Sequence, residues 1–554
     1  MALKDVLDKD SLFSPFQATM VFFLCAPLTL VGTHNLMQIF TAAVPPHHCR
    51  SNITMYHNRL PTDPCTRFVS FLTNDTESCS DNDGWDYDLS VYTSTIINEW
   101  NLVCQREYMK ELAQSLYMAG VLVGAIVYGP LADSGLTTHF ALLSLSLNNI
   151  DTCWYGRATY LKIFIFLYKK FGRRVVLLCC LLQIATMGIG ASLSPNIMVY
   201  CIFRFMTGMG ICGLIINDLG LAMEWTPQRF RPMVSMLQGY CLSIGQTILA
   251  GVAYALTDWR WLQLALSLPY FIFFILVWWV PESSRWLLLK KRTHQALTNL
   301  NRVARINGKK GDSTITLEMV KLEEQKDSPT RNNKLTPIDL FRTPAMRKIT
   351  ISLCMSWFSG SFCYFALAMD IQRFGLSIYL VQVVFGCTEI PLRVLSTATA
   401  AYIGRRFTVF SSLFLSGVFI LASLAVPADM LILQMTFSIL VRGFLGSYFV
   451  CGYLYTAELY PTELRQTGMG FTNMMMRLGA VVSPLVTMTK AYMSFLPLLI
   501  FGVVSTVCSI PLLFLPETLN SPLLDTVEEV EKGNRKEMNN NTTKETQSVQ
   551  NTKL

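Results

Sequence analysis

Six ionisable side chains sit inside apolar runs of this sequence: Arg204, Asp218, Glu389, Arg393, Arg442 and Arg477. A charge in an apolar setting is costly, so each is expected to face a partner, a cavity or a bound charge. Arg477, in Asn473-Met474-Met475-Met476-Arg477-Leu478-Gly479, has no acidic neighbour in its own helix. A planar guanidinium with spare donors makes a two-pronged site for a carboxylate or a sulfate. Arg393, in Thr388-Glu389-Ile390-Pro391-Leu392-Arg393, fits the same role, and Pro391 breaks the local backbone ladder as helices lining a wet cavity allow. It also has a competing partner, because Glu389 lies four residues earlier on the same helical face. Arg204 and Arg442 occupy similar places in two spans, which assigns them a structural or gating role. For Asp218 three roles stay open: pairing with an Arg, carrying a proton, or resting at the membrane rim.

Aromatic residues supply the second part of a binding site. In Trp357-Phe358-Ser359-Gly360-Ser361-Phe362-Cys363-Tyr364-Phe365, helical spacing sets Trp357, Ser361 and Tyr364 near one face and Phe358, Phe362 and Phe365 near another. Rings beside guanidiniums suit a flat, amphipathic anion. Nothing points to catalysis: there is no nucleophile motif in context, no metal-ligand cluster and no phosphate loop of the G-x-x-x-x-G-K-[ST] type. No cofactor and no metal are expected.

These residues need membrane-spanning helices to position them. The chain has 554 residues, 52% hydrophobic and 15% charged, too few charges for a soluble surface of that size. Its apolar residues fall into blocks of about 20, the length that crosses a hydrocarbon core of about 30 Å. Spans are predicted near 17–40, 111–132, 174–193, 197–219, 234–255 and 260–280, then 347–369, 377–401, 407–426, 430–454, 467–489 and 495–515. The first is too long for a signal peptide and lacks a basic start and a small-residue cleavage site.

Charge placement orients the spans. Glu282–Lys348 holds 15 basic and 7 acidic residues, whereas Pro45–Lys110 holds 5 basic and 9 acidic. Both termini are therefore expected in the cytoplasm and the 45–110 loop outside. That loop carries Cys49, Cys65, Cys79 and Cys104, which predict two disulfides among three possible pairings. It also carries glycosylation sequons at Asn52 and Asn74. The net charge of +8 follows from this topology and gives no reason to expect nucleic acid as a partner.

An internal repeat fixes the architecture. Glu224-Trp225-Thr226-Pro227-Gln228-Arg229-Phe230-Arg231 and Glu458-Leu459-Tyr460-Pro461-Thr462-Glu463-Leu464-Arg465 share the pattern E-x-x-P-x-x-x-R at an offset of 234. Gly172-Arg173-Arg174 and Gly404-Arg405-Arg406 are 232 apart, and Pro281-Glu282-Ser283 and Pro516-Glu517-Thr518 are 235 apart. Two pseudo-symmetric six-helix bundles packed around a central cavity explain all three. Asp133, Arg173, Arg174, Glu224, Arg231, Arg405, Arg406, Glu458 and Arg465 then gather at the cytoplasmic ends. There, ion pairs between neighbouring helices can hold one access state and release it in another.

The paired E-x-x-P-x-x-x-R, the interrupted Gly129-Pro130-Leu131-Ala132-Asp133…Phe171-Gly172-Arg173-Arg174 and Pro281-Glu282-Ser283-Ser284-Arg285 resemble the major facilitator superfamily. More narrowly, Phe40-Thr41-Ala42-Ala43-Val44-Pro45-Pro46-His47-His48-Cys49, Ala113-Gln114-Ser115-Leu116-Tyr117-Met118 and Arg465-Gln466-Thr467-Gly468-Met469-Gly470 resemble the organic anion transporter branch of solute carrier family 22. The resemblance implies an all-α membrane protein with twelve spans, in which basic residues at the positions of Arg393 and Arg477 help recognise the anion. Cation carriers of the family have an acidic residue at the second position. It also implies that Asn35, Tyr240, Tyr364, Phe365, Tyr448 and Phe449 face the cavity, joined by Trp357 and Phe362 of the aromatic run. A plasma-membrane carrier of small organic anions, exchanged against a counter-anion such as a dicarboxylate, is the expectation. A cation or zwitterion carrier on the same fold is the alternative. The oligomeric state is not legible.

One segment departs from that pattern. Ser134 to Lys169 separates Asp133 from Phe171 by about 36 more residues than relatives have there. It is either an insertion on the cytoplasmic membrane surface or the product of an unusual splice form, and in both cases it weakens the turn that Asp133 and Arg173 would build. The expected division is thus a terminus 1–16, a bundle 17–280 with loop 45–110 and insert 134–169, a linker 281–346, a bundle 347–515 and a tail 516–554.

Overall fold

The computed structural model describes residues 14–50, 65–68, 76–79, 84–132, 172–227, 230–289, 292–307, 338–369, 377–427, 430–461, 463–519 and 526–532. The insert 134–169, Asp133, Asn52 and Asn74 lie outside the described residues.

The first six long helices are α1 (Pro15–Leu36), α2 (Tyr108–Ala132), α3 (Arg173–Ser192), α4 (Ile197–Trp225), α5 (Arg231–Ala255) and α6 (Trp259–Val277). The second six are α7 (Pro344–Met369), α8 (Ile378–Tyr402), α9 (Arg405–Ala425), α10 (Leu431–Leu459), α11 (Arg465–Thr487) and α12 (Leu496–Phe514). Local chemistry starts them where the sequence places caps. Ser14 Oγ accepts from the Gln17 amide while Gln17 Oε1 accepts from the Ser14 amide, a capping box at the head of α1. Asn196 and Asp258 cap α4 and α6 through the amides of Val199 and Arg260.

Eleven of these helices are long and apolar enough to cross a membrane. The exception is α11, 23 residues long, whose apolar run is broken by Asn473, Arg477 and several Thr and Gly residues. A helix that faces protein and cavity rather than lipid need not be apolar all round. The helices α4 and α10 outrun their predicted spans by five or six residues, to Trp225 and Leu459. Their last turns carry Glu224 and Glu458, whose charge ends the hydropathic signal before the helix itself ends.

The two halves have separate cores. Tyr117, Leu177, Leu214 and Tyr270 lie in the first, and Leu353, Leu413, Tyr448 and Tyr455 in the second. The halves meet where α2 packs on α11 and α5 on α8. A third cluster draws from both: Leu36, Phe40, Leu249 and Ala253 of the first bundle pack with Ala368, Ile378 and Phe385 of the second. It lies at the end that carries the 45–110 loop. There Tyr379 stacks on Phe40 at 5.4 Å and meets Tyr254 edge-on at 5.6 Å, so this end of the inter-bundle seam is closed.

Backbones approach closely within the first bundle. A Cβ added at Gly245 of α5 would lie 1.9 Å from the Thr29 carbonyl oxygen of α1, and one at Gly32 would lie 2.3 Å from the Leu242 carbonyl. Small residues are what let lipid-embedded helices gain packing energy. Backbone atoms cannot swing away, so Gly245→Val is expected to force α1 and α5 apart and to cost about 1–3 kcal/mol or more. The measurable result is several-fold less protein at the cell surface, with Gly251→Ala, where an added Cβ meets nothing within 4 Å, as the silent control.

The connecting segments are more structured than their charge suggests. Within 281–346, the helix Thr293–Ile306 buries Ala296, Leu300 and Val303 on the first core, one stripe at helical spacing. Asn307 Oδ1 accepts from the Phe16 amide at 3.3 Å, tying that helix to the start of α1. In the tail, Val530 is buried on the second core and Glu531 Oε1 accepts from the Ala345 amide at 2.9 Å. The 45–110 loop holds two small antiparallel pairs, β1 (His47–Cys49) with β4 (Trp85–Tyr87) and β2 (Thr66–Phe68) with β3 (Thr76–Ser78). Cys49 is bonded to Cys79 and Cys65 to Cys104. Glu99 pairs with Arg260 and accepts from Trp259 Nε1 at 2.7 Å, anchoring the end of this loop on α6.

Candidate functional site

The repeated charges come first, because they tie neighbouring helices at the end opposite the 45–110 loop. Arg173 of α3 pairs with Glu224 of α4 at 3.2 Å, and Arg405 of α9 pairs with Glu458 of α10 at 3.4 Å. Each pair lies inside one bundle. Glu282 takes the Arg174 amide at 3.1 Å, and Glu517 takes the amides of Arg405 and Arg406 at 2.9 and 3.1 Å. The third repeat is therefore a carboxylate that caps the helix opened by the second, at the positive end of its dipole. Burial, the largest influence on it, raises the Glu282 pKa. The Arg231 and Arg465 Nε groups donate to the carbonyls of Thr226 and Tyr460, at 3.2 and 3.3 Å, and so fasten the turns before α5 and α11.

Deeper in, the buried Arg residues fall into two kinds. Arg393 pairs with Glu389 and donates to the Gly239 carbonyl oxygen of α5 at 2.8 Å. Arg442 donates to Gln246 Oε1 at 2.7 Å and to the Tyr364 hydroxyl at 3.0 Å, with its guanidinium 3.8 Å over the Tyr364 ring. Gln246 Nε2 donates to the same hydroxyl at 2.8 Å, so α5, α7 and α10 are joined across the bundle boundary. Arg204 lies 4.2 Å over the ring of Tyr117 and donates to the His34 carbonyl at 3.4 Å. All three are committed to protein groups.

Arg477 is not. It is half-buried, and no hydrogen bond or ion pair engages its guanidinium among the described residues. Tyr117 of α2 and Tyr453 of α10 lie within its electrostatic reach. The Tyr117 hydroxyl donates to Asn35 Oδ1 at 2.8 Å, and the Tyr453 hydroxyl to Asn473 Oδ1 at 2.9 Å. Arg477 thus stands between the bundles, flanked by a tyrosine from each. Guanidinium donors not taken up by protein acceptors are what a bound anion needs.

Rings connect this position to the Arg442 cluster. Tyr453 touches Trp357 at 4.6 Å, Trp357 touches Phe449 at 6.0 Å, Phe449 touches Tyr364 at 5.4 Å, and Tyr364 touches Phe365 at 5.5 Å. Phe365 packs against both bundle cores and the mixed cluster, which puts it at their junction. The expected site residues divide by exposure. Asn35, Tyr240, Phe365, Phe449 and Arg477 are half-buried, with Tyr240 in electrostatic reach of Arg393. Trp357, Tyr364 and Tyr448 are buried behind them as support. Phe362 lies apart, 2% exposed and packed on Phe501 of α12 inside the second bundle.

Sequence reading missed Tyr117, Gln246 and Tyr453. Tyr453 was within reach of it, four residues after Phe449 and so on the same face of α10. The other two owe their place to neighbours more than 80 residues away. The grouping of His47, Cys65 and Cys104 offers no metal centre, because the two sulfurs are bonded to each other.

The Major Facilitator Superfamily profile matches residues 163–484 and 349–538. The chain is similar to solute carrier family 22 member 6-A of Xenopus laevis, 40% identical over 96% of this chain and 94% of that protein. It is similar to organic anion transporter 3 of Homo sapiens at the same identity and coverage. Among solved structures, the xylose transporter XylE from E. coli in its inward-open conformation matches with a TM-score of 0.58. That match covers 93% of this chain and 99% of that chain at 14% identity, a likeness of fold.

Proposed function

This chain belongs to the major facilitator superfamily and, within it, to solute carrier family 22, a family of membrane transporters and not of enzymes; on that premise we propose that it carries small amphipathic organic anions across the plasma membrane. One observation carries the reading: Arg477 is a half-buried guanidinium between the bundles with no protein partner among the described residues. Charge balance supports it. Arg393, Arg442 and Arg477 lie at the seam, and among the described residues Glu389, paired with Arg393, is the carboxylate that ion-pairs with one of them. In a low-dielectric setting such an excess attracts an anion and repels a cation.

The substrate's acidic group would bind Arg477, with Asn35, Tyr240, Phe365 and Phe449 around its flat body and Arg393 shaping the floor. The side bearing the 45–110 loop faces outward in this reading, with both termini cytoplasmic. Closure of that side by Phe40, Tyr254 and Tyr379 then makes this the cytoplasm-facing conformation. Rocking of the bundles would break those ring contacts and bring the other ends together, and a returning dicarboxylate would complete the exchange.

The test is uptake of labelled p-aminohippurate or estrone sulfate beside tetraethylammonium in cells expressing the chain. Saturable uptake of the anions alone is expected; transport of the cation alone overturns the reading. Deleting residues 134–169 rejoins Asp133 to the Gly172-Arg173-Arg174 turn and is expected to raise anion uptake several-fold at equal surface level. An unchanged or lower rate would show that the insert does not hinder transport.

A further inference from the structure

Asp218 takes no part in the scheme above, yet it is fully buried in α4. Its Oδ2 accepts from Gln238 Nε2 of α5 at 2.9 Å, and its Oδ1 has no hydrogen-bond partner. No ion pair reaches it among the described residues. The titratable and charged groups around it are few. From α1 comes Cys25 and from α5 Cys241, two thiols near each other and the carboxylate. From α3, Arg173 passes Gly220 but is paired with Glu224.

A carboxylate in this place would be charged, desolvated and without a counter-ion, which costs several kcal/mol. A neutral carboxylic acid escapes most of that cost, and the unpartnered Oδ1 is the position left for its proton. Depth matters as well. Asp218 lies seven residues before the end of α4, and Gln238 seven residues after the start of α5, so both sit about 10 Å inside the helix ends. The next residue, Gly239, offers the carbonyl that Arg393 of the second bundle binds. One short stretch of α5 thus touches the buried acid on one side and the opposite bundle on the other.

We propose that Asp218 is a proton-binding site, neutral in the conformation described here, and that its proton is released or taken up as α5 moves against α8. The proton stabilises the form in which the acid is buried. That form is favoured at low pH, and it loses the advantage as pH rises through the pKa of the buried acid. Anion flux is then linked to the proton gradient.

The flux arm of the test rests on the anion-carrier reading; the spectroscopic arm does not. In full-length purified protein carrying 13C-labelled aspartate, a protonated-carboxyl C=O band is expected in the infrared at neutral pH. It should vanish in Asp218→Asn and shift in Gln238→Leu, which removes the amide donor to Oδ2. Absence of the band from the unaltered protein overturns the proposal, whether or not either variant folds. In cells, p-aminohippurate uptake is expected to change about fivefold between mildly acidic and neutral medium, the low end for coupling between two sites. Asp218→Asn should be flat across that range at surface levels matched by biotinylation. A pH response in that variant equal to the unaltered protein's also overturns the proposal. Uptake absent at every pH, with the band present, would count against the anion reading alone.

Discussion

Arg477→Asp is expected to abolish saturable anion uptake while leaving the protein folded and at the surface. Both halves of that expectation come from the same geometry. The guanidinium serves no protein acceptor among the described residues, so its removal orphans no buried group. A charge-assisted bond to a bound carboxylate contributes about 1.5–3 kcal/mol, a factor of about 10–150 in affinity, and a carboxylate in its place adds repulsion to that loss. Arg477→Lys keeps the charge and loses the planar fork, and should raise KM about tenfold with little change in surface level. Labelled p-aminohippurate uptake, normalised to biotinylated surface protein, measures both. Undiminished flux in Arg477→Asp would remove this residue from the site.

The site's logic was partly legible in the sequence. Arg477 stands out because its helix offers it no acid within four residues in either direction. Arg393 was ambiguous for the opposite reason, since Glu389 at helical spacing competes with any ligand. The aromatic run in α7 was legible as a run, but not in its facing. Trp357, Phe362 and Tyr364 are all buried, and only contacts from α10 and α12 decide which of them backs the half-buried Phe449 and which packs inside the second bundle. The repeats revealed two bundles without revealing what the third repeat does. Glu282 and Glu517 cap helices that begin more than 100 residues earlier, a pairing no local pattern encodes. All twelve long helices were legible as apolar runs, α11 among them at 467–489, although α11 is the one not apolar enough by composition to cross a membrane, because the residues that make a helix useful to a solute make it less apolar.

Glu389→Leu is expected to destabilise the protein far more than any substitution of Arg477. Arg393 is 6% exposed, and Glu389 is fully buried against Gly446 of α10, where a built Cβ would meet its side chain at 2.8 Å. Removing the carboxylate leaves a guanidinium with one carbonyl acceptor, Gly239, in a setting where an uncompensated charge costs about 3–5 kcal/mol. Surface protein should fall by well over half and the melting temperature in detergent should drop. The double variant Glu389→Leu with Arg393→Met removes both charges and leaves apolar groups of similar volume, so stability should return to near that of the unaltered protein. Recovery of folding makes the transport measurement clean. If Arg393 acts mainly by joining α8 to α5, the recovered double variant takes up anion with KM raised only a few-fold, against the complete loss in Arg477→Asp. A double variant that folds and carries nothing would instead put Arg393 in direct contact with the anion. Its pair with Glu389 would then be the resting state of a residue that changes partner when substrate arrives.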